Sequence, residues 1–142
     1  MKIKFIFLGK KKSHETSSLV DNYLLRLKKY VKCDIVFFDN NNELKLINKF
    51  KPNDYVIILD ELGKSFSSIQ FSNLLIKSIS NYSTIFLIVG DAYGVSEKIL
   101  NKSNLKISIS NMTFPHLIAR LVLLEQTYRA FTILNNHPYH HE

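Results

Sequence analysis

Ile85-Phe86-Leu87-Ile88-Val89 is an unbroken apolar run, and no other segment constrains the chain as strongly. A strand with one wet face alternates apolar and polar residues. A run without alternation, rich in Ile and Val, fits a strand covered on both faces, as in a parallel sheet flanked by helices. The rest of the chain alternates accordingly. Strands are expected at 3–8, 34–38, 55–59, 84–89 and 106–110. Helices are expected at 15–30, 43–50, 67–79, 96–100 and 115–134. In the first helix, Val20, Leu24, Leu27 and Val31 fall in steps of four, three and four, which puts them on one face. The expected fold class is therefore α/β with a parallel sheet.

At 142 residues the chain is expected to form one domain, 1–142, large enough to bury a core without staples. Hydrophobic residues make up 46% and charged residues 22%, which argues against disorder. No internal repeat or linker interrupts the pattern. The single cysteine, Cys33, precedes the apolar Ile35–Phe38 and reads as a small core hydrophobe. No stretch of about 18 apolar residues is present, so no membrane span is expected. The opening apolar stretch is too short for a signal peptide and runs into Lys10, Lys11 and Lys12; it reads as a first strand ending in a basic loop. A reducing, cytoplasmic setting fits both features.

The net charge of +7 points to a polyanionic partner. Lys10, Lys11 and Lys12 form one basic run; Arg26, Lys28, Lys29 and Lys32 form another. Nucleic acid is the expected partner, against the plainer reading of a basic surface kept for solubility. The last helix is apolar around most of its circumference, and a helix apolar all round must be buried all round. A domain of this size has difficulty covering it alone, so a homodimer is expected. The helix carries Arg120, Glu125 and Arg129 as charges. Glu125 and Arg129 stand four apart in the favourable order for an intrahelical ion pair.

Ligands of open parallel sheets bind beyond the carboxyl ends of the strands. Three such ends stand out: Leu59-Asp60-Glu61-Leu62-Gly63-Lys64, Val89-Gly90-Asp91-Ala92-Tyr93-Gly94, and Ile109 to Phe114 running into Pro115. Gly90 and Gly94 are two of four glycines, but their spacing matches neither a P-loop nor the dinucleotide Gly-x-Gly-x-x-Gly. The loop from Ser110 to His116 offers backbone N–H groups and small polar side chains to an adenine edge or a carboxylate. His116 itself reads equally as a satisfied, half-buried histidine. Three of the five histidines sit in the tail Asn136–Glu142, with no cysteine beside them; no metal site is expected there.

From Asn111-Met112-Thr113-Phe114-Pro115-His116, through Arg120 to Ala130, to Asn136-His137-Pro138-Tyr139-His140, the chain resembles the ribosomal RNA large subunit methyltransferase H family, the minimal branch of the knotted SPOUT methyltransferases. The similarity extends from Met1 to the last residues. The resemblance implies a SPOUT fold with a C-terminal trefoil knot, which sequence pattern would not suggest, since knots are almost absent from proteins. It implies a homodimer, S-adenosylmethionine as methyl donor, and N3 of a pseudouridine in large-subunit (23S) rRNA on the assembled ribosome as acceptor. The implied cofactor contacts are Leu59, Gly90, Ile109, Ser110, Asn111, Met112, Thr113 and Phe114. Position and residue type in helix and tail suggest Arg129, Tyr139, His140 and His141 for the chemistry, and Lys10, Lys11, Lys12, Arg26, Lys28 and Lys29 for RNA phosphates. Two departures from the family pattern are a shortened segment from Asn40 to Phe50 and His141 where a basic residue is usual. The competing readings are a non-catalytic ribosome-binding protein of the same fold and a methyltransferase for another RNA position.

Overall fold

The computed structural model describes residues 2–10 and 14–141, and the side chains of all of these except 14–16 and 40. Five strands form one parallel sheet: β1 (Lys2–Leu8), β2 (Lys32–Phe38), β3 (Asp54–Ser65), β4 (Thr84–Val89) and β5 (Leu105–Ser108), in the order β2-β1-β4-β3-β5. Five α-helices connect and close them: α1 (His14–Leu27), α2 (Glu43–Ile47), α3 (Ser68–Asn81), α4 (Glu97–Leu100) and α5 (His116–Leu134). A 3₁₀ turn at Asn40–Asn42 leads into α2, so the Asn40–Phe50 segment is more ordered than a polar loop.

Strand β4 lies at the centre, and Ile85 to Val89 are all buried. Alternate residues feed two separate cores. Ile85, Leu87 and Val89 join Leu27, Leu75, Leu124 and Phe131 on the face covered by α1, α3 and α5. Phe86 and Ile88 join Leu46 of α2 and Ile99 of α4 on the other. Cys33 is buried within the first core, and burial pushes its thiol up to about 11. Leu124 is fully buried where α5 meets the sheet. Its truncation to alanine is expected to cost about 3 kcal/mol, read from the midpoint of a urea denaturation curve.

Local chemistry sets the helix starts. Ser67 caps α3 in a capping box: its Oγ accepts from the Gln70 amide at 3.1 Å, and Gln70 Oε1 accepts from the Ser67 amide at 2.9 Å. Pro115 stands at the N-cap of α5 rather than inside its first turn.

Of the bounds that differ from expectation, three bear on the architecture. Helix α1 ends at Leu27, three residues early, and the amides of the following turn donate to its last carbonyls. Strand β5 ends at Ser108, which leaves Ile109 and Ser110 in the loop. Strand β3 runs six residues past Leu59, because β5 pairs with it on both sides of a bulge: Ile107 registers against Leu59 and again against Lys64. Asp60 to Gly63 therefore project as a bulge beside the end of β4, not as a free loop. At the base of this edge, the Asn104 side chain accepts from the Val56 amide at 2.7 Å, and its own amide donates to the Val56 carbonyl at 2.8 Å.

The outward side of α5 is the unusual surface. Leu117, Leu121, Val122 and Ile133 are only half-buried, and Ile118 is exposed. Among the described residues, no helix is long and apolar enough to cross a membrane.

Candidate active site

The parallel arrangement brings the carboxyl ends of β3, β4 and β5 to one edge of the sheet. A cleft of about 910 Å³ opens there. Its walls come from the three segments marked in the sequence. Strand β3 contributes Leu59 and, from its bulge, Asp60, Glu61 and Leu62. The end of β4 contributes Val89 and the turn Gly90–Gly94. The loop after β5 contributes Ile109, Ser110, Met112, Thr113 and Phe114, and α5 closes the cleft with Pro115, His116 and Ala119. Seven of the eight expected cofactor residues line this space; Asn111 does not. Val95, Leu100 and Ala119 also line it, and nothing in their type or spacing marks them in the sequence.

Side chain–backbone bonds hold the loops. The Ser110 hydroxyl accepts from the Met112 amide at 3.0 Å, and the buried Ser108 hydroxyl donates to the Ser110 carbonyl at 2.9 Å. Asp91 accepts from the Tyr93 amide at 2.8 Å, and the Gly94 amide closes the turn on the Asp91 carbonyl at 3.0 Å. Gly94 has φ of 82°, a conformation that glycine adopts without strain. A Cβ on Gly90 would lie 2.7 Å from the backbone of Gly94, so only glycine fits the base of this turn. Leu62, Tyr93 and Met112 stand exposed at the rim.

The suggested catalytic residues gather elsewhere. None of Arg129, Tyr139, His140 or His141 lines the cleft. The tail folds back along the C-terminal half of α5, and Glu125 is its anchor. Oε1 of Glu125 accepts from Arg129 Nε at 2.9 Å, Arg129 Nη2 at 2.6 Å and the Tyr139 hydroxyl at 3.0 Å. The expected intrahelical ion pair is thus formed. It leaves Arg129 Nη1 3.0 Å from His140 Nδ1, with the guanidinium over the Tyr139 ring at 4.9 Å. Tyr139 also shares a 3.3 Å hydrogen bond with the Tyr23 hydroxyl of α1. Burial first, then the bonds to Tyr23 and Glu125, hold its phenol well above the usual range. Tyr139 is a neutral hydroxyl donor. His141 is exposed beside this cluster.

Arg26 belongs to the same patch, with its guanidinium 5.5 Å from the Tyr23 ring centre and 5.8 Å from that of Tyr128. Lys28 and Lys29 are exposed just beyond, and Lys10 is exposed after β1. Lys11 and Lys12 lie outside the described residues. Among the described residues, no group of three or more His, Cys, Asp or Glu side chains converges as metal ligands do.

The family model for "Predicted SPOUT methyltransferase" matches residues 1–140. The chain belongs to the SPOUT methyltransferase family. It is 39% identical to a Flavobacterium psychrophilum protein named ribosomal RNA large subunit methyltransferase H, an alignment of 157 positions covering 100% of both chains. It is likewise 39% identical over 158 positions to a protein of the same name from Clostridium botulinum strain Kyoto, covering 99% of each. Both alignments are longer than this chain, so the relatives carry residues that this SPOUT methyltransferase lacks. Solved structures agree on the fold. A probable methylase family protein from Haemophilus influenzae superposes with a TM-score of 0.64 at 10% identity, over 99% of this chain and 70% of that one. A methyltransferase candidate from Legionella pneumophila, solved with bound SAM, superposes with a TM-score of 0.53 at 12% identity, over 92% of this chain and 66% of that one.

Proposed function

We propose that this SPOUT methyltransferase transfers a methyl group from S-adenosylmethionine to N3 of a pseudouridine in large-subunit rRNA, on the assembled ribosome in the cytoplasm. The observation that carries this reading is the meeting of Leu59, Gly90 and the Ile109–Phe114 loop in one cleft.

The cleft suits the donor. Leu59, Ile109 and Phe114 offer apolar walls to an adenine, and the tight turn that Gly90 permits lines the same space. Asp60, Glu61 and Asp91 bring carboxylates to a ligand that carries a sulfonium and an ammonium. The bound donor supplies an activated methyl group. The protein's own task is to align the acceptor with it and to exclude misplaced poses. Pseudouridine N3 carries a proton that must leave, and a fixed cation favours the resulting anion. Arg129, held by Glu125 and set against His140, is the candidate cation; Tyr139, neutral, positions the base; His140 and His141 complete the patch.

The tail patch and the cleft occupy different parts of one chain, and α5 keeps an apolar outer side. A homodimer answers both: it covers Ile118, Leu121 and Val122, and it lets the tail of one subunit serve the cleft of the other. The C-terminal knot implied by the family resemblance belongs to the same reading.

RNA affinity is assigned to the basic patch beside the tail. Replacing Arg26, Lys28 and Lys29 together by Gln is expected to lower the slope of log affinity against log salt by about 0.7–0.9 for each phosphate no longer neutralised, measured by filter binding across a salt series.

The test is mass-spectrometric mapping of rRNA methylation with purified protein, ribosomes and S-adenosylmethionine. A methyl group at one pseudouridine N3 supports the reading. Donor binding without any RNA product rejects the substrate, and methylation at another position reassigns it.

A further inference from the structure

Arg120 is the one charged side chain of α5 that the chemistry above leaves unused. It is also the most deeply buried, at 3% exposed. A buried guanidinium needs partners, since desolvation works against its charge. Its Nη2 donates to the Leu8 carbonyl, the last of β1, at 2.8 Å. Its plane lies over two rings, with the centroids of Phe7 and Phe37 at 5.2 and 5.5 Å. Arg120, Phe7 and Phe37 also line a cavity of about 260 Å³ that Asp21, Lys28 and Asp34 border.

The carboxylate that acts on it, at longer range than an ion pair, is Asp91, in the turn that lines the donor cleft. Gly9 sits between them with φ of 104°. A Cβ on Gly9 would lie 3.5 Å from Arg120 Nη2 and 3.5 Å from Asp91 Cβ, so the two residues face each other across this turn. Burial lowers the proton affinity of Arg120, and the charge of Asp91 partly restores it.

We propose that Arg120 is a positioning residue for donor binding: fixed on the Leu8 carbonyl and against two phenylalanine rings, it holds Asp91, and with it the Gly90–Gly94 turn, in the shape that the donor requires. The inference rests on the reading of the cleft as the donor site. Arg120 does not itself line the cleft. It acts through Asp91, which does, while Ala119 and His116 of the same helix form the cleft wall directly.

The test is a double-mutant cycle on S-adenosylmethionine affinity, measured by calorimetry on the intact protein with Arg120→Met, Asp91→Asn and the pair. Each single change is expected to weaken binding about tenfold, and the pair no more than Asp91→Asn alone, because Arg120 acts on the donor only through Asp91. Arg120→Lys keeps the charge and is expected to recover part of the loss. In turnover on ribosomes, the KM for donor should rise more than kcat falls. Should Arg120→Met fail to fold, Arg120→Lys with Asp91→Asn closes the same cycle. Losses that multiply, or unchanged affinity in the folded variants, overturn the proposal. Failure of the unaltered protein to bind S-adenosylmethionine is a separate result and overturns the assignment of the cleft itself.

Discussion

Gly90→Ala is expected to weaken S-adenosylmethionine binding by about 10- to 100-fold while the sheet stays folded. The added methyl would sit 2.7 Å from the carbonyl carbon and oxygen of Gly94 and 3.0 Å from Val95 Cγ2. The first two are backbone atoms that no rotamer change can move. The Gly90–Gly94 turn must open, and Asp91 and Tyr93 shift with it. Strand β4 ends at Val89, so the central core is spared. Calorimetry with the donor and a thermal melt separate the two quantities. Unchanged affinity would mean that the turn is not part of the donor site.

Glu125→Ala is expected to lower the methylation rate by about a hundredfold with donor affinity unchanged, as for a catalytic group displaced by an ångström. The carboxylate accepts from two nitrogens of Arg129 and from the Tyr139 hydroxyl, so its removal frees the tail and the guanidinium together. Single-turnover kinetics on ribosomes check the rate, and calorimetry checks the donor. The pH dependence has a defined sign. Tyr139 is held above the phenol's ordinary value of 10.0, so it remains a neutral donor at neutrality. On the alkaline side, anchoring weakens only as strongly alkaline pH ionises the hydroxyl. A rate that survives Glu125→Ala would remove the tail cluster from the chemistry.

The strands and the three loops at their ends were legible because they rest on local pattern. Ile85–Val89 can hardly be anything but a covered strand, and Gly90, Ser110 and Pro115 mark turns wherever they occur. The bulge at Asp60–Gly63 was not legible as part of a strand. Its residues read as a polar loop, and only the doubled register of Ile107 against Leu59 and Lys64 draws them into β3. The separation of tail and cleft was hidden for a related reason. Both adjoin α5 in sequence, but Pro115 and His116 stand at its start, and the tail folds back only as far as Glu125. The setting of Arg120 was not legible, because its hydrogen-bond partner, the Leu8 carbonyl, lies more than a hundred residues away in the chain.

The order of the strands has a consequence for biosynthesis. Four of them, β2-β1-β4-β3, are complete once Val89 has emerged, but β5, the Ile109–Phe114 loop and α5 are still to be translated. Half of the cleft and the lid over the first core thus arrive last. A nascent chain holds a partial sheet with an uncovered apolar face, exposed to aggregation until translation finishes. Its dependence on chaperones should peak just before termination, and a premature stop anywhere before α5 should yield a degradable fragment with no enzymatic competence.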